Sequence, residues 1–390
     1  MPLETEDANG VIYVSIGIFA WNEEDSIAST LESLFAQSFF AEAAARNFGC
    51  EVICVVNGCT DRTPEIAAQF FEEHHRRRPE QGCVQCRVVS LSERGKLNAW
   101  NKFVHTLSAR SSRFLVMMDA DILIHRRETL WNMVCALEHN AEAHVSVDRP
   151  CKDLLFKRRH SIREKLSLVA GEMTTSAEAQ LCAQLYCIRA EIARNIYLPK
   201  DLAACEDGFI KALVCTDFLR HPVMPERICL APDAAHTFEA YTSPLAILKN
   251  QKRQIIGQTI VHILIDNHLK SIPARERQSL AATLSERDSI DPSWLKLLIK
   301  EHLHKARFFW RLYPDLLRHR FKALRKTKPI TRLVGLPAAL AGFVVTLISS
   351  IMAYSSLKAG TTDYWPQAKR LGLGPIGPGS AMELTQQKSK

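Results

Sequence analysis

The 390-residue chain lacks the features that mark several classes of protein. Its 16 glycines and 17 prolines are too few for a collagen-like or low-complexity chain. No G-x-G-x-x-G follows the first predicted strand, which argues against a dinucleotide fold, and the missing G-x-x-x-x-G-K-[ST] excludes a Walker loop. The first ten residues are acidic and polar, so we expect no secretory signal there. With 47% hydrophobic and 24% charged residues, the composition indicates a folded protein with a large core.

Cysteine is not scarce, but its arrangement lacks the pattern of a metal site. Cys83 and Cys86 have the spacing of metal ligands, and no second pair follows at a suitable distance. The other cysteines lie in stretches that resemble strands and helices, as buried thiols do. We therefore expect reduced thiols in a cytosolic domain and no zinc.

Positive charge is concentrated in one segment rather than spread over the chain. Residues 294–332 hold 12 Lys or Arg against 2 Asp or Glu, while the whole chain has a net charge of +8. A uniform surface for nucleic acid is therefore disfavoured, and we expect no nucleic-acid partner. Aromatic side chains alternate with the basic ones over residues 294–326, which is typical of a helix on a membrane surface. The alternative is a packed helix with a solvated basic face.

A long apolar run follows this basic segment. Residues 333–357 contain no charge, and about 20 helical residues suffice to cross a bilayer core. The run predicts a transmembrane helix; the alternatives are a buried core helix and a helix lying in the interface. Because Lys and Arg are more abundant before it than after it, the positive-inside rule places residues 1–332 in the cytoplasm. We expect a single-pass protein of the inner membrane with membrane lipids as partners.

Short apolar strands alternate with amphipathic helices through the first half of the chain. The pattern predicts strands over residues 11–19, 51–56, 86–91, 114–122 and 184–189. Such alternation favours an α/β fold with a mostly parallel sheet covered on both faces. Ligands of these sheets bind at the carboxyl ends of the strands, and the polar clusters of this sequence follow the strands there. The coincidence predicts a functional site at that edge.

Several polar clusters are candidates for that site. Asp119 and Asp121 end the fourth strand and suit Mg²⁺ or Mn²⁺, although turns of this kind also occur in solvated loops. Lys96 opens a helix behind a glycine and could neutralise a diphosphate. Glu206 and Asp207 begin another helix, where they either supply a general base or complement the helix dipole.

The strand ends also carry a second kind of candidate. Asn22, Glu23 and Glu24 follow the first strand, and Asn57 to Asp61 follow the second. Their hydrogen-bond donors and acceptors could bind the base and the ribose of a nucleoside. The structural alternative is equally good, because Asn57-Gly58 is a strong turn signal and Asp61 could cap the next helix.

Taken together, the motifs resemble those of the inverting family 2 glycosyltransferases of the membrane-associated bacterial type. The matching segments, which span residues 12–215 in the family's order, are VSIGIFAWNEEDSIASTLESL, VVNGCTDRTPEIA, GKLNAWN, MMDADI and YCIRAEI…CEDGF. The resemblance implies a GT-A fold, a nucleotide-sugar donor, with a UDP-sugar expected, and a divalent metal, Mn²⁺ or Mg²⁺.

By the same resemblance, each site residue has an expected role. Asp207 would be the general base, with Glu206 beside it, and Asp121 would bind the metal together with Asp119. The donor would be bound by Ala20, Asn22, Glu23, Asn57, Asp61, Lys96 and Asp119. Two departures stand out. Asn57 occupies a position where the family often has a uridine-contacting aspartate, and residues 251–255 keep only the glutamine of Q-x-x-R-W, which argues against a processive polymerase.

These observations predict an inverting, metal-dependent hexosyltransferase that moves a sugar to a hydroxyl of a lipid, lipid-linked or glycan acceptor of the cell envelope. The expected organisation is a GT-A catalytic domain over 1–235, a helical basic region over 236–332, the transmembrane helix over 333–357 and a disordered tail over 358–390. Two alternatives are a sugar-nucleotide pyrophosphorylase and a catalytically inert GT-A membrane partner. The first should have a Gly-rich basic loop after its first strand, where this chain has FAWNEED.

Overall fold

The structure is a computed structural model, and the description below covers residues 11–77, 84–156, 179–203, 205–240, 243–273, 275–306 and 329–360. The strands are β1 (Ile12–Ala20), β2 (Gly49–Asn57), β3 (Val84–Leu91), β4 (Phe114–Asp119), β5 (Leu123–Ile124), β6 (Val145–Lys152), β7 (Leu185–Arg189) and β8 (Ile228–Phe238). They form one sheet in the order β3-β2-β1-β4-β7-β6-β8-β5.

The first four strands in the sheet order are parallel to one another. β1 pairs with β2 and β4, and β2 pairs with β3, all in parallel, whereas β7 is antiparallel to both β4 and β6. Ala20 lies opposite Val56 and Phe19 lies opposite Asp119. Parallel register therefore brings the carboxyl ends of β1, β2 and β4 to the same edge of the sheet, which is where the sequence predicts the site.

Helices cover both faces of the sheet. They are α1 (Ile27–Phe35), α2 (Phe39–Ala45), α3 (Thr63–Arg77), α4 (Lys96–Lys102), α5 (Thr129–Glu138), α6 (Ala190–Ala193), α7 (Glu206–Val214), α8 (Pro244–Asn267), α9 (Leu280–Ile290), α10 (Trp294–Ala306) and α11 (Pro329–Lys358). A π-helical turn, Phe103–Leu107, extends α4. One core layer packs α1, α2, α3 and α5 against the sheet, and the other packs α4, α6, α7 and α8 against the opposite face.

The C-terminal helices belong to the second of these core layers. Ile260 of α8, Leu284 of α9, Leu295 of α10 and Ala353 of α11 are buried in the same apolar cluster as Trp100 of α4. The sheet also continues beyond the expected domain boundary at residue 235, because β8 ends at Phe238. The domain division itself stays a prediction.

The apolar run 333–357 lies within the single helix α11. None of the helices in the described part of the chain has the length and apolarity that a membrane crossing requires. The expected transmembrane helix is therefore not supported. The expected basic helix over 294–326 begins as α10, and its remainder from residue 307 lies outside the described residues, as does the tail from residue 361.

Candidate functional site

Lys96 lies at the centre of the polar groups that gather at the carboxyl edge of the sheet. Its Nζ atom is 2.5 Å from Oδ1 of Asp119 and 3.1 Å from Oε1 of Glu206, and it donates a hydrogen bond to the carbonyl of Ala183 at 3.2 Å. The three charged side chains are at most 15% exposed. Segments that are up to 110 residues apart in sequence, as Lys96 and Glu206 are, therefore meet at one ammonium group.

Sequence and local structure explain how Lys96 reaches this place. Gly95 precedes α4 with a φ of +151°, a conformation that side chains rarely adopt. The turn points the first residue of α4 across the end of β4, where Asp119 is the last strand residue. Glu206 arrives from the opposite side as the first residue of α7.

The protonation states of these three groups are linked. Burial alone would lower the pKa of Lys96, but the carboxylates of Asp119 and Glu206 outweigh it and raise that pKa well above its usual range. Burial tends to raise the pKa of Glu206, and the Lys96 charge reverses this and lowers it. Burial raises the pKa of Asp119 to about 7. The charge of Asp121 also raises this pKa, and the charge of Lys96 opposes both effects. Among these three groups, two carboxylates therefore share one ammonium group.

Asp207 follows Glu206 in the first turn of α7. Its Oδ1 accepts a hydrogen bond from the backbone N–H of Gly208 at 2.7 Å. Burial and the Glu206 carboxylate raise the pKa of Asp207 to about 6, which brings it near the pH at which a general base works well. Lys96 acts electrostatically on Asp207 as well as on Asp119, so the two predicted carboxylate motifs share one site.

Asp119 and Asp121 fit the chemistry of a Mg²⁺ or Mn²⁺ site. Their mutual repulsion is visible in the raised pKa of Asp119, and a divalent cation between them would relieve it. In the described part of the chain no group of three or more His, Cys, Asp or Glu side chains could hold a metal by itself. Two carboxylates are nevertheless enough where substrate phosphates complete the coordination, as is usual for Mg²⁺.

The donor-binding residues predicted after β1 and β2 lie next to one another. Asn22 accepts a hydrogen bond from the backbone N–H of Thr60 at 2.8 Å, and the backbone N–H of Glu23 donates to the hydroxyl of Thr63 at 2.7 Å. Asp61 accepts from the backbone N–H of Thr63 at 3.1 Å and from that of Glu24 at 3.1 Å. These side chains fasten the loop after β1 to the loop after β2. Their expected contacts with a nucleoside stay predictions.

Asn57 has a structural role that the sequence alone left open. Its buried amide donates to the carbonyl of Ala20 at 2.7 Å and accepts from the backbone N–H of Gly95 at 3.0 Å. The side chain thus joins β2 to the end of β1 and to the turn that positions Lys96.

The turn after β2 shapes the rim of the same edge. Gly58 has a φ of +64°, and a Cβ atom there would lie 2.9 Å from the backbone nitrogen of Arg94. The guanidinium of Arg94 lies 3.3 Å from the ring centre of Trp21, a cation–π arrangement between the loops after β3 and β1. Neither Trp21 nor Arg94 was singled out from the sequence.

A buried group behind the site was also missed by sequence reasoning. Nδ1 of His236 is 2.7 Å from Oδ2 of Asp148, and its Nε2 is 3.3 Å from Oε1 of Gln184. The carbonyl of Gln184 accepts the backbone N–H of Asp119 at 2.9 Å. Asp148 lies on β6 and His236 lies on β8, and the sequence pattern predicted neither strand. The only sequence signal for this pair was that both residues are ionisable.

Comparisons with known proteins concern the family and the fold of the chain. Residues 15–189 match the family model described as Glycosyl transferase family 2. No match is found among curated proteins. Among solved structures, the chain is similar to the mannosyltransferase PcManGT from Pyrobaculum calidifontis in complex with GDP-Man and Mn²⁺, at 18% identity and a TM-score of 0.50, over 89% of this chain and 86% of that one.

Two further solved structures are more distant. TarS of S. aureus is 16% identical with a TM-score of 0.42, over 90% of this chain and 55% of that one. Glucosyl-3-phosphoglycerate synthase from Mycobacterium tuberculosis is 16% identical with a TM-score of 0.41, over 67% of this chain and 81% of that one.

The family match covers Lys96 and Asp119 and ends before Glu206, while the similarity to PcManGT extends over 89% of this chain. Both agree with the resemblance that the motifs carry. Residues 15–189, somewhat less than half of the chain, therefore match the Glycosyl transferase family 2 model, and the fold in which that segment lies matches that of GT-A glycosyltransferases.

Proposed function

We propose that the protein transfers a sugar from a nucleotide-sugar donor, a UDP-sugar by expectation, to an acceptor hydroxyl with inversion at the anomeric carbon. The observation that carries the proposal is the position of Lys96 between Asp119 and Glu206. It places the end of β4, where a diphosphate and metal would bind, beside the first turn of α7, where Asp207 would act. A donor on one side and an acceptor on the other would meet between them.

Asp207 has the properties of the base in this reaction. Its pKa of about 6 leaves it deprotonated at neutral pH yet basic enough to accept a proton as the new bond forms. Glu206 supports it indirectly, because it holds Lys96 and raises the pKa of Asp207 by its own charge. Inversion follows if the acceptor oxygen attacks from the side opposite the leaving diphosphate.

Lys96 and the β4 carboxylates would serve the leaving group. The ammonium of Lys96 supplies positive charge where negative charge develops on the diphosphate. Asp119 and Asp121 would hold the divalent cation, which supplies Lewis-acid stabilisation of the same charge. Ala20, Asn22, Glu23, Asn57 and Asp61 would form the nucleoside side of the site, where the loops after β1 and β2 are fastened together.

The acceptor is proposed from the sequence rather than from the site. A basic segment beside an apolar helix is expected to bring the domain to a membrane, which favours a lipid, lipid-linked or glycan acceptor of the cell envelope. The inner-membrane location with a cytoplasmic catalytic domain stays a prediction.

The test is a panel of nucleotide sugars with Mn²⁺ or Mg²⁺, with and without membrane lipid extract, in which release of nucleotide diphosphate and transfer of labelled sugar are both measured. We expect one donor to release diphosphate together with transfer. Asp207→Asn should lower transfer by about 10³-fold or more while donor binding is kept. The control is Asp233→Asn, which removes a carboxylate whose side chain is 80% exposed and should leave the rate unchanged.

Other outcomes would contradict the proposal in distinct ways. Activity that requires a nucleoside triphosphate would indicate a sugar-nucleotide pyrophosphorylase. No release with any donor would indicate an inert partner protein. Loss of donor binding in Asp207→Asn, to the same degree as loss of transfer, would assign Asp207 a structural role.

A further inference from the structure

The exposed face of helix α11 is unusually apolar. Leu340, Val344, Ile348 and Ile351 are 48%, 50%, 42% and 46% exposed, and their spacing of four, four and three residues places them in one row along the helix. We call these four residues the α11 row. Scattered exposed apolar residues are ordinary on soluble proteins, whereas a continuous row of branched side chains marks an interaction surface.

The buried face of the same helix is correspondingly polar and small. Thr346, Ser349 and Ser350 are at most 5% exposed. Thr346 donates its hydroxyl hydrogen bond to the carbonyl of Gly342, and Ser350 donates to the carbonyl of Thr346. Further along this face, Ala353 and Leu357 lie in the apolar cluster that contains Ile260 and Ile263 of α8. The helix therefore packs on the protein through hydroxyl-bearing residues over 346–350 and through apolar residues at Ala353 and Leu357.

Between Leu340 and Ile351 this arrangement is the reverse of that expected for a surface helix in water. A surface helix in water buries its branched apolar residues and exposes its polar ones. In membranes, by contrast, helices contact one another through Gly, Ala, Ser and Thr and turn their larger apolar residues towards lipid. Because the opposite face of α11 lies on α8, lipid could reach it from one side only.

The positive charge of the sequence before the α11 row favours a lipid surface with anionic headgroups. Seven Lys or Arg lie between Arg318 and Arg332, and no Asp or Glu occurs between residues 316 and 362. Arg332 belongs to α11 itself and precedes Leu340 by eight residues, about 12 Å along a helix. Basic residues that adjoin an apolar segment in the sequence are attracted to anionic headgroups, and this stretch of sequence contains no acidic residue to oppose that attraction.

We propose that the α11 row docks the protein on the surface of an anionic lipid bilayer, with the helix lying along the surface and its serine-bearing face remaining on α8. The inference deepens the proposed function, because it names the surface that would bring the catalytic site to a lipid acceptor. It differs from a membrane crossing, since a helix that crosses is surrounded by lipid or by other membrane helices rather than held against a catalytic domain.

The experiment is co-flotation of the full chain with vesicles, in the absence of any donor. Vesicles of phosphatidylcholine alone are compared with vesicles that contain phosphatidylglycerol in equal amount, at low and high salt. The test variant is Val344→Glu combined with Ile348→Glu. The matched control is Val11→Glu, because Val11 is 49% exposed, nearly the same as Val344, and lies before β1.

We expect the chain to prefer the anionic vesicles, with binding that weakens as salt rises. The double variant should lower the partition coefficient by about tenfold or more, and Val11→Glu should leave it unchanged. If the glutamates prevent folding, as judged by thermal melting, Val344→Ser with Ile348→Ser is used, with a smaller loss expected.

Three results would overturn the proposal. Binding of the double variant that equals that of the parent chain would show that the α11 row does not face lipid. A change from dimer to monomer in the double variant without vesicles would show that the row is a contact between two copies. Equal binding to both vesicle types would remove the electrostatic part. Vesicle binding is measured without a sugar donor. Its outcome is therefore independent of whether the protein transfers a sugar.

Discussion

The expected chemistry of Asp207 depends on the groups around it. Burial and the neighbouring Glu206 carboxylate raise its pKa to about 6. A base acts only when deprotonated, so we expect kcat/KM to rise with pH through about 6 and then level off. Glu206→Gln removes one of the two causes and should move this limb to lower pH by about 0.5–1 unit, together with a lower rate. A limb that stays in place in the pH–rate profile of Glu206→Gln would show that another group titrates.

His236 and Asp148 form a second residue-scale feature, which bears on stability. Burial would lower the pKa of His236, but Asp148 outweighs it and raises the pKa to about 10. The protonated histidine therefore adds stability that is complete below about pH 6.5, the ordinary histidine pKa, and is lost as pH rises through about 10.

Asp148→Asn leaves this buried cation without its partner. We expect the free energy of unfolding at neutral pH to fall by about 3–5 kcal/mol, measured by urea denaturation. The control Asp233→Asn breaks the exposed ion pair with Arg126 and should cost less than about 1 kcal/mol. Equal effects of the two substitutions would mean that Asp148 and His236 do not form a charged pair.

At the scale of elements, β1 packs closely against the π-helical turn after α4. A Cβ atom at Gly17 would lie 2.8 Å from the ring of Phe103, which is fully buried. The glycine thus lets the turn approach the central strand, and through α4 it fixes the position of Lys96. We expect Gly17→Ala to lower the free energy of unfolding by about 1–3 kcal/mol through overpacking, measured by urea denaturation.

Gly208 is the control for this prediction, since it is also a glycine in a regular element. A Cβ atom there would meet nothing closer than 3.9 Å. Gly208→Ala should therefore stabilise α7 by about 0.5–1 kcal/mol, because alanine loses less backbone entropy in a helix. Two substitutions with the same sign would remove the packing argument for Gly17.

At the scale of the whole molecule, substrate and metal binding should be visible as a gain in stability. A ligand that binds the folded state alone raises the melting temperature with its concentration. We expect a nucleoside diphosphate with Mn²⁺ to stabilise the protein more than either does alone. Asp121→Asn should remove the extra stabilisation by Mn²⁺ and leave the melting temperature without ligands nearly unchanged, measured by thermal melting. An unchanged response to Mn²⁺ would place the metal elsewhere.

The parallel half of the sheet was predictable from the sequence for a clear reason. β1, β2 and β4 are buried on both faces, so their residues form nearly continuous apolar runs that end in polar turns. β6 and β8 were not predicted, because exposed and half-buried residues interrupt their apolar pattern. The strand predicted over 114–122 ends at Asp119, since the chain turns there to form the site.

Residue types and their order determined which groups could perform the chemistry: a lysine after a glycine turn, two aspartates after a buried strand, and an acidic pair at a helix start. These patterns involve residues that are close in sequence, so they can be recognised without a structure. Only the tertiary structure decided that Lys96 lies between Asp119 and Glu206, that the amide of Asn57 is engaged by backbone groups, and that α11 turns its serines inward. These arrangements depend on contacts between segments that are far apart in sequence. The packing that produces such contacts cannot be deduced from the spacing of residues along the chain.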